Sequence, residues 1–418
     1  MKSTTYLGRL SWVLGLVFMI WFGCKYDAPP SPFEQAEKQP SIIPVISQVV
    51  PEVAGSASEI TLIGKYFSPR IEDNSVYFNN VPVTIKAASD TEIVVYRPLV
   101  AGDSIVIKVV VNGAIGEGEF KYYKLENIMT TYGQFYKNDI ILAIAFDKDE
   151  NLYGLLRAST DNLIRLYASG LRDTSFHSTV TRFATDINVG PGGYIYIVRK
   201  RDQVYRVGSS GGDPEAWAKF PSSTQVKRFD FDANGNMFGG GENSGLAVLR
   251  PDQTGVNFGI YKRFYIEGVR VYNNYVYVLA QFKPVGKDTL NPQPSGIYRN
   301  PIISTDGQID TNATELVLKW AETGDYASSI FYGFAFSSDN LIYIGTNNIN
   351  PILSLNLDDN SQTPLYYGMI SPPVNQIVWG NGNYMYLLIN SETSIDQGCQ
   401  VLQINIAKPG APYYGRNL

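Results

Sequence analysis

The C-terminal two thirds of this chain repeats one short sequence pattern six times. An apolar strand leads into a turn rich in Asp, Asn and Gly, and a second strand with an aromatic residue near its start follows. The aromatic residues that mark the six copies are Tyr153, Tyr196, Phe238, Tyr277, Tyr343 and Tyr386. Their spacings are 43, 42, 39, 66 and 43 residues. A period near 42 with several short strands per unit is typical of a β-propeller blade, so we predict a six-bladed ring.

A third apolar segment and a less regular fourth one complete each repeat, and Trp217 and Trp320 fall on two of the predicted fourth strands. The third segments are residues 163–166, 204–207, 246–249, 296–299, 352–355 and 401–404. The pattern resembles NHL-type and related six-bladed propellers and covers residues 126–418. We expect the repeated aromatic residues to lie in the core. The Asp/Asn/Gly turns lack the ligand spacing of calcium loops, so they are interpreted as ordinary β-turns.

Residues 41–124 show a different pattern, of short β-rich runs separated by turn residues. The clearest runs are residues 60–64, 75–78, 92–95 and 105–111, and Asn112-Gly113 is a strong hairpin signal. About seven strands in this length fit an immunoglobulin-like sandwich. The segment resembles an IPT/TIG domain in its opening, its second strand and turn, its central stretch and its exit; the matching residues include Pro51, Gly55, Gly64, Phe67, Ser89, Thr91, Pro98, Gly113 and Phe120. This resemblance implies a spacer or docking module without catalysis. The fold class predicted for the whole chain is therefore all-β, a sandwich followed by a propeller.

The first 40 residues have the features of a targeting segment. Residues 1–23 read as a signal peptide, because Lys2 and Arg9 precede a 13-residue apolar run that is too short to span a bilayer comfortably. The run ends at Gly23-Cys24, which resembles the lipobox of bacterial lipoproteins, although Trp21 replaces the usual Leu. The resemblance implies acylation of Cys24, for example with palmitate, and a mature chain anchored in the outer membrane facing the cell exterior. Residues 24–40 read as a stiff, Pro-rich tether. A short membrane anchor or ordinary secretion is the alternative.

Composition excludes several classes of function. With one His and two Cys, the chain cannot build a Cys₄ or Cys₂His₂ zinc site, and a histidine-dependent triad has only His177 to use. A net charge of −5 without any basic run argues against nucleic-acid binding. The sequence carries no nucleophile elbow, zinc-protease motif or P-loop. We therefore predict no catalytic residue, no metal and no cofactor, while a carboxylate pair for glycoside hydrolysis stays open.

The longest spacing between repeats points to a binding loop. Its excess falls after the second strand of blade 4, in residues 281–295, and blade 6 has a second extended loop at residues 390–398. Both lie on the propeller face that carries the loops leading into the innermost strands, and function tends to be placed on long loops of a rigid scaffold. A tolerated insertion is the alternative. The predicted ligand-binding residues are Phe282, Lys287, Asp288, Asn291 and Gln293.

These features together favour a non-catalytic binding protein. Lipoproteins of this design resemble accessory components of nutrient-uptake systems, which implies a glycan or another extracellular ligand and an outer-membrane transporter as partner. Two other hypotheses stay open. One is a carbohydrate-active hydrolase or lyase on the propeller scaffold, and the other is a scaffold that docks an outer-membrane protein.

Ring closure is the last prediction from sequence. The tail after residue 406 has little strand character, whereas residues 127–136 have no partner within blade 1. We expect residues 127–136 to supply the outer strand of blade 6, because an unclosed ring would leave unpaired strand edges. That closure would place the sandwich beside the junction of blades 6 and 1.

Overall fold

In a computed structural model, the chain folds into β-strands joined by turns. The structure describes residues 42–136, 139–157, 161–180, 183–199, 202–221, 224–284, 291–390 and 399–417. The predictions for the leader and tether, Cys24 included, lie outside these residues. Five short 3-10 helices occur in the described part: Ile71–Asp73, Pro191–Gly193, Trp320–Glu322, Gly324–Tyr326 and Tyr414–Asn417. Within these same ranges, no helix has the length and apolar character needed to cross a membrane.

The N-terminal strands form two sheets that share one apolar core. The first sheet has the order Val45–Val50, Glu59–Lys65, Glu92–Tyr96, Ile85–Ala88. The second has the order Val53–Ala54, Gly118–Leu125, Gly102–Val111, Asn74–Phe78, Val81–Val83. Alternate residues of the strands point into the core, as Ile60 and Leu62 do, which is the period-2 burial expected of a sandwich. The predicted hairpin turn is confirmed, with Gly113 at a φ of 83° between two paired strands.

Six four-stranded antiparallel sheets follow, one for each sequence repeat. From the innermost strand outward, blade 1 consists of Ile141–Phe146, Leu152–Leu156, Asp161–Leu166 and Ser178–Val180. Blade 2 consists of Ala184–Val189, Ile195–Arg199, Gln203–Val207 and Glu215–Lys219. Blade 3 consists of Arg228–Phe231, Met237–Gly240, Leu246–Leu249 and Gly255–Asn257. Blade 4 consists of Phe264–Tyr272, Tyr275–Phe282, Gly296–Pro301 and Glu315–Lys319. Blade 5 consists of Phe331–Phe336, Leu341–Thr346, Ile352–Asn356 and Gln362–Pro364. Blade 6 consists of Val374–Trp379, Tyr384–Ile389, Gln400–Asn405 and Met129–Tyr132. Trp320 begins a 3-10 helix directly after its predicted fourth strand.

The sheets surround a central channel and pack face to face. Neighbouring innermost strands contact one another around the ring, and that of blade 6 contacts that of blade 1. The apolar cores lie between adjacent blades; one of them combines Ala143 and Tyr153 of blade 1 with Ile187 of blade 2. All six repeated aromatic residues are buried, as predicted. The fold class predicted from sequence is confirmed.

The turns after the innermost strands show why Asp, Asn and Gly recur there. In blade 3, Asp232 Oδ1 accepts hydrogen bonds from the backbone N–H groups of Asn234 and Asn236, at 2.9 and 2.8 Å. In blade 1, Asp147 Oδ1 accepts from Asp149 and Asn151 at 2.9 Å each. A carboxylate that caps its own turn explains the motif without a metal.

The predicted closure of the ring is confirmed. Met129–Tyr132 pairs with Gln400–Asn405, in a register that joins Met129 to Ile404 and Tyr132 to Val401. Blade 6 is thereby built from strands at both ends of the propeller sequence, and the pairing covers a strand edge that would otherwise be exposed.

The placement of the sandwich beside blades 6 and 1 is wrong, because its described contacts lie at blades 5 and 6. The Tyr366 hydroxyl, in the segment that joins these blades, donates to the Ser56 carbonyl at 2.8 Å. The neighbouring Tyr367 ring stacks on Tyr96, with centroids 4.3 Å apart. Arg97 links the sandwich to the segment that leads into the propeller, since its guanidinium donates to the carbonyls of Ala54 and Glu126. The contacts of Tyr366 and Tyr367 thus hold the sandwich beside the segment that joins blades 5 and 6.

The C-terminal tail closes one end of the channel. It pairs with blade 5 through the Ala411 N–H, which donates to the Phe336 carbonyl at 2.9 Å. The Gly410 backbone lies against the Trp379 ring so closely that a Cβ there would approach a ring carbon to 2.3 Å. Arg416, 6% exposed, donates to the Trp379 carbonyl at 2.8 Å and to Asn381 Oδ1 at 3.1 Å. The tail thus forms a floor under the six innermost strands.

Candidate functional site in the central channel

The two faces of the propeller differ in what they offer a ligand. The bottom face carries the turns after the innermost strands and is covered by the C-terminal tail. The top face carries the segments that lead into the innermost strands and the connections between second and third strands. The channel is therefore approached from the top.

The innermost strands are in register with one another around the ring. In blades 1, 2, 4, 5 and 6 the pairing with the second strand shifts by one residue near the start, for example between Ala184 and Asp186. Such a bulge turns the following side chain toward a new direction. The residues that follow the bulge, with their counterpart in blade 3, are Ala143, Asp186, Arg228, Gly268, Gly333 and Gln376. These positions are thus polar in blades 2, 3 and 6 and small in blades 1, 4 and 5.

A cavity of about 50 Å³ lies between these strands. Its lining includes the charged residues Asp186, Arg228 and Arg270 and the glycines Gly268 and Gly333, and Tyr413 of the tail also lines it. At roughly 10–15 Å³ for each water centre, this volume suits a few waters or one small polar group of a ligand. A sugar ring or a side chain of similar size would have to rest above it.

Several of the polar side chains form hydrogen bonds with backbone groups at the inner edge of the neighbouring blade. Asn188 Nδ2 donates to the Phe229 carbonyl at 2.7 Å, and Asp186 Oδ2 accepts from the Phe229 N–H at 3.3 Å. The Gln376 amide both accepts from and donates to the backbone of Ile144, at 2.8 and 3.1 Å. The innermost strand of each blade has no sheet neighbour on its channel side, so these side chains replace the missing strand.

Arg270 and Asp186 keep hydrogen-bonding capacity that no described residue uses. Arg270 Nη1 pairs with Asp230 Oδ2 at 2.8 Å, and the guanidinium carbon lies 3.6 Å from the centre of the Tyr413 ring. Arg270 Nε and Nη2 and Asp186 Oδ1 are buried and have no hydrogen-bond partner among the residues described. Buried polar atoms are normally paired, so each unpaired one needs an explanation such as a bound molecule.

The Asp186 carboxyl has an unusual proton affinity. Burial raises the pKa of Asp186 to about 6. Arg228 opposes this shift, but its guanidinium is 3.8 Å from Asp186 Oδ1, too far for a hydrogen bond. Burial also raises the pKa of Asp230, against which the close contact with Arg270 acts. Near pH 6 the Asp186 carboxyl is therefore able to donate as well as accept.

An apolar rim surrounds the polar mouth of the cavity. In each blade, one residue lies three positions before the residue that follows the bulge, or before its blade 3 counterpart Arg228; these residues are Ile140, Phe183, Gln225, Tyr265, Ile330 and Pro373. Five of the six are apolar or aromatic, and we call these five the rim collar. Ile140, Phe183 and Ile330 are 40, 65 and 50% exposed. Phe183 also has a positive φ of 75°, a conformation that costs energy for a bulky residue and recurs at functional sites.

The structure brings only part of the sequence-predicted loop site together. Arg263 lies over the half-buried Phe282 ring at 4.9 Å and donates to the Asn291 carbonyl at 3.2 Å. Gln293 is exposed, whereas Lys287 and Asp288 lie outside the described residues. Phe282 also packs edge-on against Phe264, with centroids 5.5 Å apart, so much of its ring is used internally. A ligand role for this loop stays a prediction.

The length of the loops, on which the sequence prediction of a binding site rests, does not point to the channel residues. A usable signal was present, since Asp186, Arg228, Asp230 and Arg270 are charged residues on innermost strands whose other residues are mostly uncharged. A charged residue on such a strand is either paired or functional. Aligning the repeats at the innermost strand would have placed these four residues around one axis.

Other chemical groups lie away from this site. His177 is exposed and follows the third strand of blade 1, on the bottom face. Burial raises the pKa of the Cys399 thiol, which donates to Asn390 Oδ1 at 3.1 Å. Over the part of the chain that the structure describes, no three His, Cys, Asp or Glu side chains are grouped to hold a metal ion.

Comparison with known proteins identifies the first domain. The family model described as IPT/TIG domain matches residues 44–123. No curated protein matches the chain significantly.

Solved structures similar to this chain have low identity to it. A protein of unknown function from Bacteroides thetaiotaomicron is 13% identical, with a TM-score of 0.48 over 88% of this chain and 99% of that chain. An auxiliary nutrient binding protein from Bacteroides ovatus is 13% identical, with a TM-score of 0.44 over 88% and 98%. Virginiamycin B lyase from Staphylococcus aureus is 9% identical, with a TM-score of 0.43 over 79% and 99%. By its own strands and the family match, the chain consists of an IPT/TIG domain followed by a six-bladed β-propeller.

Proposed function

We propose that the chain is a non-catalytic binding protein that takes an extracellular glycan at the mouth of the channel on the top face. The observation that carries this proposal is the rim collar around a polar cavity. Phe183 and Ile330 offer apolar surface to solvent, while Asn375, Gln376 and Arg228, all half-buried, offer amide and guanidinium groups inside the rim. A sugar ring has apolar faces and a hydroxyl edge, and this arrangement suits both.

The rim collar has the properties of a binding surface rather than of a core. Exposed apolar side chains scattered singly are normal on a protein surface, but a ring of them at equivalent positions around an opening is not. Four of the five collar residues directly precede an innermost strand and Tyr265 lies on one, so little ordering entropy is lost when a ligand rests on the collar. The strained Phe183 backbone holds its ring outward into solvent, where stacking is possible.

The cellular setting is part of the same proposal. We propose that Cys24 is acylated after removal of residues 1–23, and that the chain is anchored in the outer membrane and faces the cell exterior. The sandwich and the Pro-rich tether would hold the propeller away from the bilayer, and a transporter would be the partner that receives the ligand. Replacing Cys24 with Ala should release the protein from membranes; a variant that stays membrane-bound would contradict lipid anchoring.

Replacing Phe183 with Ala is the direct test of the binding surface. We expect about a fivefold weaker glycan affinity, because stacking on one aromatic ring contributes about 1 kcal/mol. Stability should change little, since the side chain is 65% exposed. The measurement is calorimetric titration with the oligosaccharide retained best in a glycan panel. Ile303→Ala is the matched control, since Ile303 is 64% exposed and lies on the bottom face. Absence of binding to any glycan, or equal losses in both variants, would contradict the proposal.

One observation favours an enzyme as the second candidate. Asp186 has a pKa near 6 and shares its cavity with Glu267, and glycoside hydrolysis uses a carboxylic acid of raised pKa beside a second carboxylate. Glu267, however, forms an ion pair with Lys227. Long incubation with bound oligosaccharide separates the candidates: intact sugar supports a binding protein, whereas products that disappear with Asp186→Asn support an enzyme.

A further inference from the structure

We propose that the channel cavity binds a carboxylate group of the ligand, held by the free edge of the Arg270 guanidinium. This inference rests on the proposed function in one respect only: the ligand enters the cavity through the same channel mouth. It names the chemical class of the group that reaches the cavity, which the rim collar leaves open.

The first argument is the geometry of Arg270. Nη1 is taken by Asp230, while Nε and Nη2 are buried without a partner among the described residues. These two nitrogens lie on one edge of the guanidinium and donate in parallel, which matches the two oxygens of a carboxylate. Tyr413 covers a face of the group at 3.6 Å, and contact with a face leaves the donors on the edge directed sideways.

The second argument is the volume of the cavity. About 50 Å³ is room for a carboxylate and not for a sugar ring or an aromatic group. Gly333 lines the cavity and has no side chain, so it leaves this part of the wall open. The cavity thus has the size and the donors for one planar anionic group.

The third argument is the balance of charge. The charged groups around the cavity are Lys227, Arg228, Arg270 and Arg416 on one side of the balance and Asp186, Asp230 and Glu267 on the other. Asp230 and Glu267 are each engaged in a close ion pair. Asp186 is held loosely, at 3.8 Å from Arg228, and its Oδ1 has no hydrogen-bond partner among the described residues. The four cations outnumber the three carboxylates. Protonation of Asp186 increases this excess of positive charge and lets the carboxyl donate to an incoming oxygen.

This arrangement predicts the direction in which the carboxylate affinity changes with pH. The pKa of Asp186 is about 6 in the free protein, and a bound anion nearby favours the protonated form further. Binding therefore takes up a proton and tightens as pH falls from 7.5 to 5.5.

The test begins with the wild-type protein, so its first readout does not depend on a variant. Calorimetric titrations with acetate, D-galacturonate, L-glutamate and D-galactose at constant ionic strength compare a small anion, a sugar acid, an amino acid and a neutral sugar. We expect at least one carboxylate to bind at least tenfold tighter than galactose, with affinity rising at least threefold from pH 7.5 to 5.5. Binding of galacturonate but not glutamate identifies a sugar acid as the source; the reverse identifies an amino acid. Absence of binding by every carboxylate overturns the inference.

Two variants complete the test. Arg270→Lys keeps a positive charge for Asp230 but removes the two-donor edge, and we expect at least a tenfold loss of carboxylate affinity. Asp186→Asn should abolish the pH dependence. A folded Arg270→Lys variant with unchanged carboxylate affinity, or wild-type affinity that is flat with pH, overturns the inference. If neutral glycans bind at the rim collar while carboxylates do not, this inference fails and the proposed function stands; carboxylate binding without any glycan binding gives the opposite result.

Discussion

A propeller that begins at residue 138 is expected to unfold at a midpoint about 10 °C below one that begins at residue 123, a loss of about 5 kcal/mol. The shorter chain lacks Met129–Tyr132, the outer strand of blade 6. It also loses the buried side chains of Ile128 and Tyr132, 6 and 7% exposed, each contributing about 1.5–3 kcal/mol through burial. The exposed edge of Gln400–Asn405 would then be free to pair with other chains.

The comparison of both fragments by calorimetry and circular dichroism tests this closure. The chain that begins at residue 123 is the matched control, and we expect it to be folded. It should be modestly less stable than the full protein, because Tyr366 and Tyr367 lose their contacts with the sandwich. Identical midpoints for the two fragments would show that the outer strand does not close the ring.

Deleting residues 411–418 should destabilise the protein by about 5 kcal/mol and open the floor of the channel. The deletion removes the buried Arg416, whose hydrogen bonds as a charged donor contribute about 1.5–3 kcal/mol each. It also removes Tyr413 from beneath Arg270 and exposes Trp379, which is fully buried in the intact protein. Arg270 would then lie beside water, and the enclosed character of the cavity would be lost.

Thermal unfolding and the emission maximum of tryptophan fluorescence measure this effect. We expect a lower midpoint and a red shift, because a buried indole becomes hydrated. Deleting only residues 417–418 is the control, since Asn417 is exposed. A truncated chain that keeps the emission maximum and the midpoint of the full protein would mean that the tail is not the floor.

The fold was largely predictable from sequence because its repeats are local patterns. The buried aromatic after each turn and the Asp that caps its own turn depend on neighbours within a few residues, as Tyr153 and Asp147 show. Even the closing strand at residues 127–136 was predictable, since a segment without a partner had to pair with a blade that lacked one. The position of the sandwich was not, because it depends on contacts between residues far apart in sequence: the stacked rings of Tyr96 and Tyr367, and the hydrogen bond from the Tyr366 hydroxyl to the Ser56 carbonyl.

The candidate site was much less predictable, because it depends on which residues meet across the ring. Asp186, Arg228 and Arg270 belong to three different blades, about 40 residues apart in sequence. The floor was equally hidden, since nothing in a Gly- and Pro-rich tail indicates that Tyr413 and Arg416 lie under the channel. Loop length alone led to residues 281–295, where Phe282 packs against Arg263 and Phe264 of the same blade.

Filling the cavity is the most direct test of the claim that ligand binds at the channel mouth. At Gly333 a Cβ would lie 3.4 Å from the nearest atom, the Asn375 carbonyl oxygen, so Gly333→Leu adds a side chain to the cavity wall without backbone strain. Gly382→Leu is the control, because a Cβ there meets nothing within 4 Å and the residue lies in a bottom-face turn. Calorimetric titration with the ligand that binds the wild-type protein should show at least a hundredfold loss for Gly333→Leu and none for Gly382→Leu. A folded Gly333→Leu variant with wild-type affinity would contradict binding at this site.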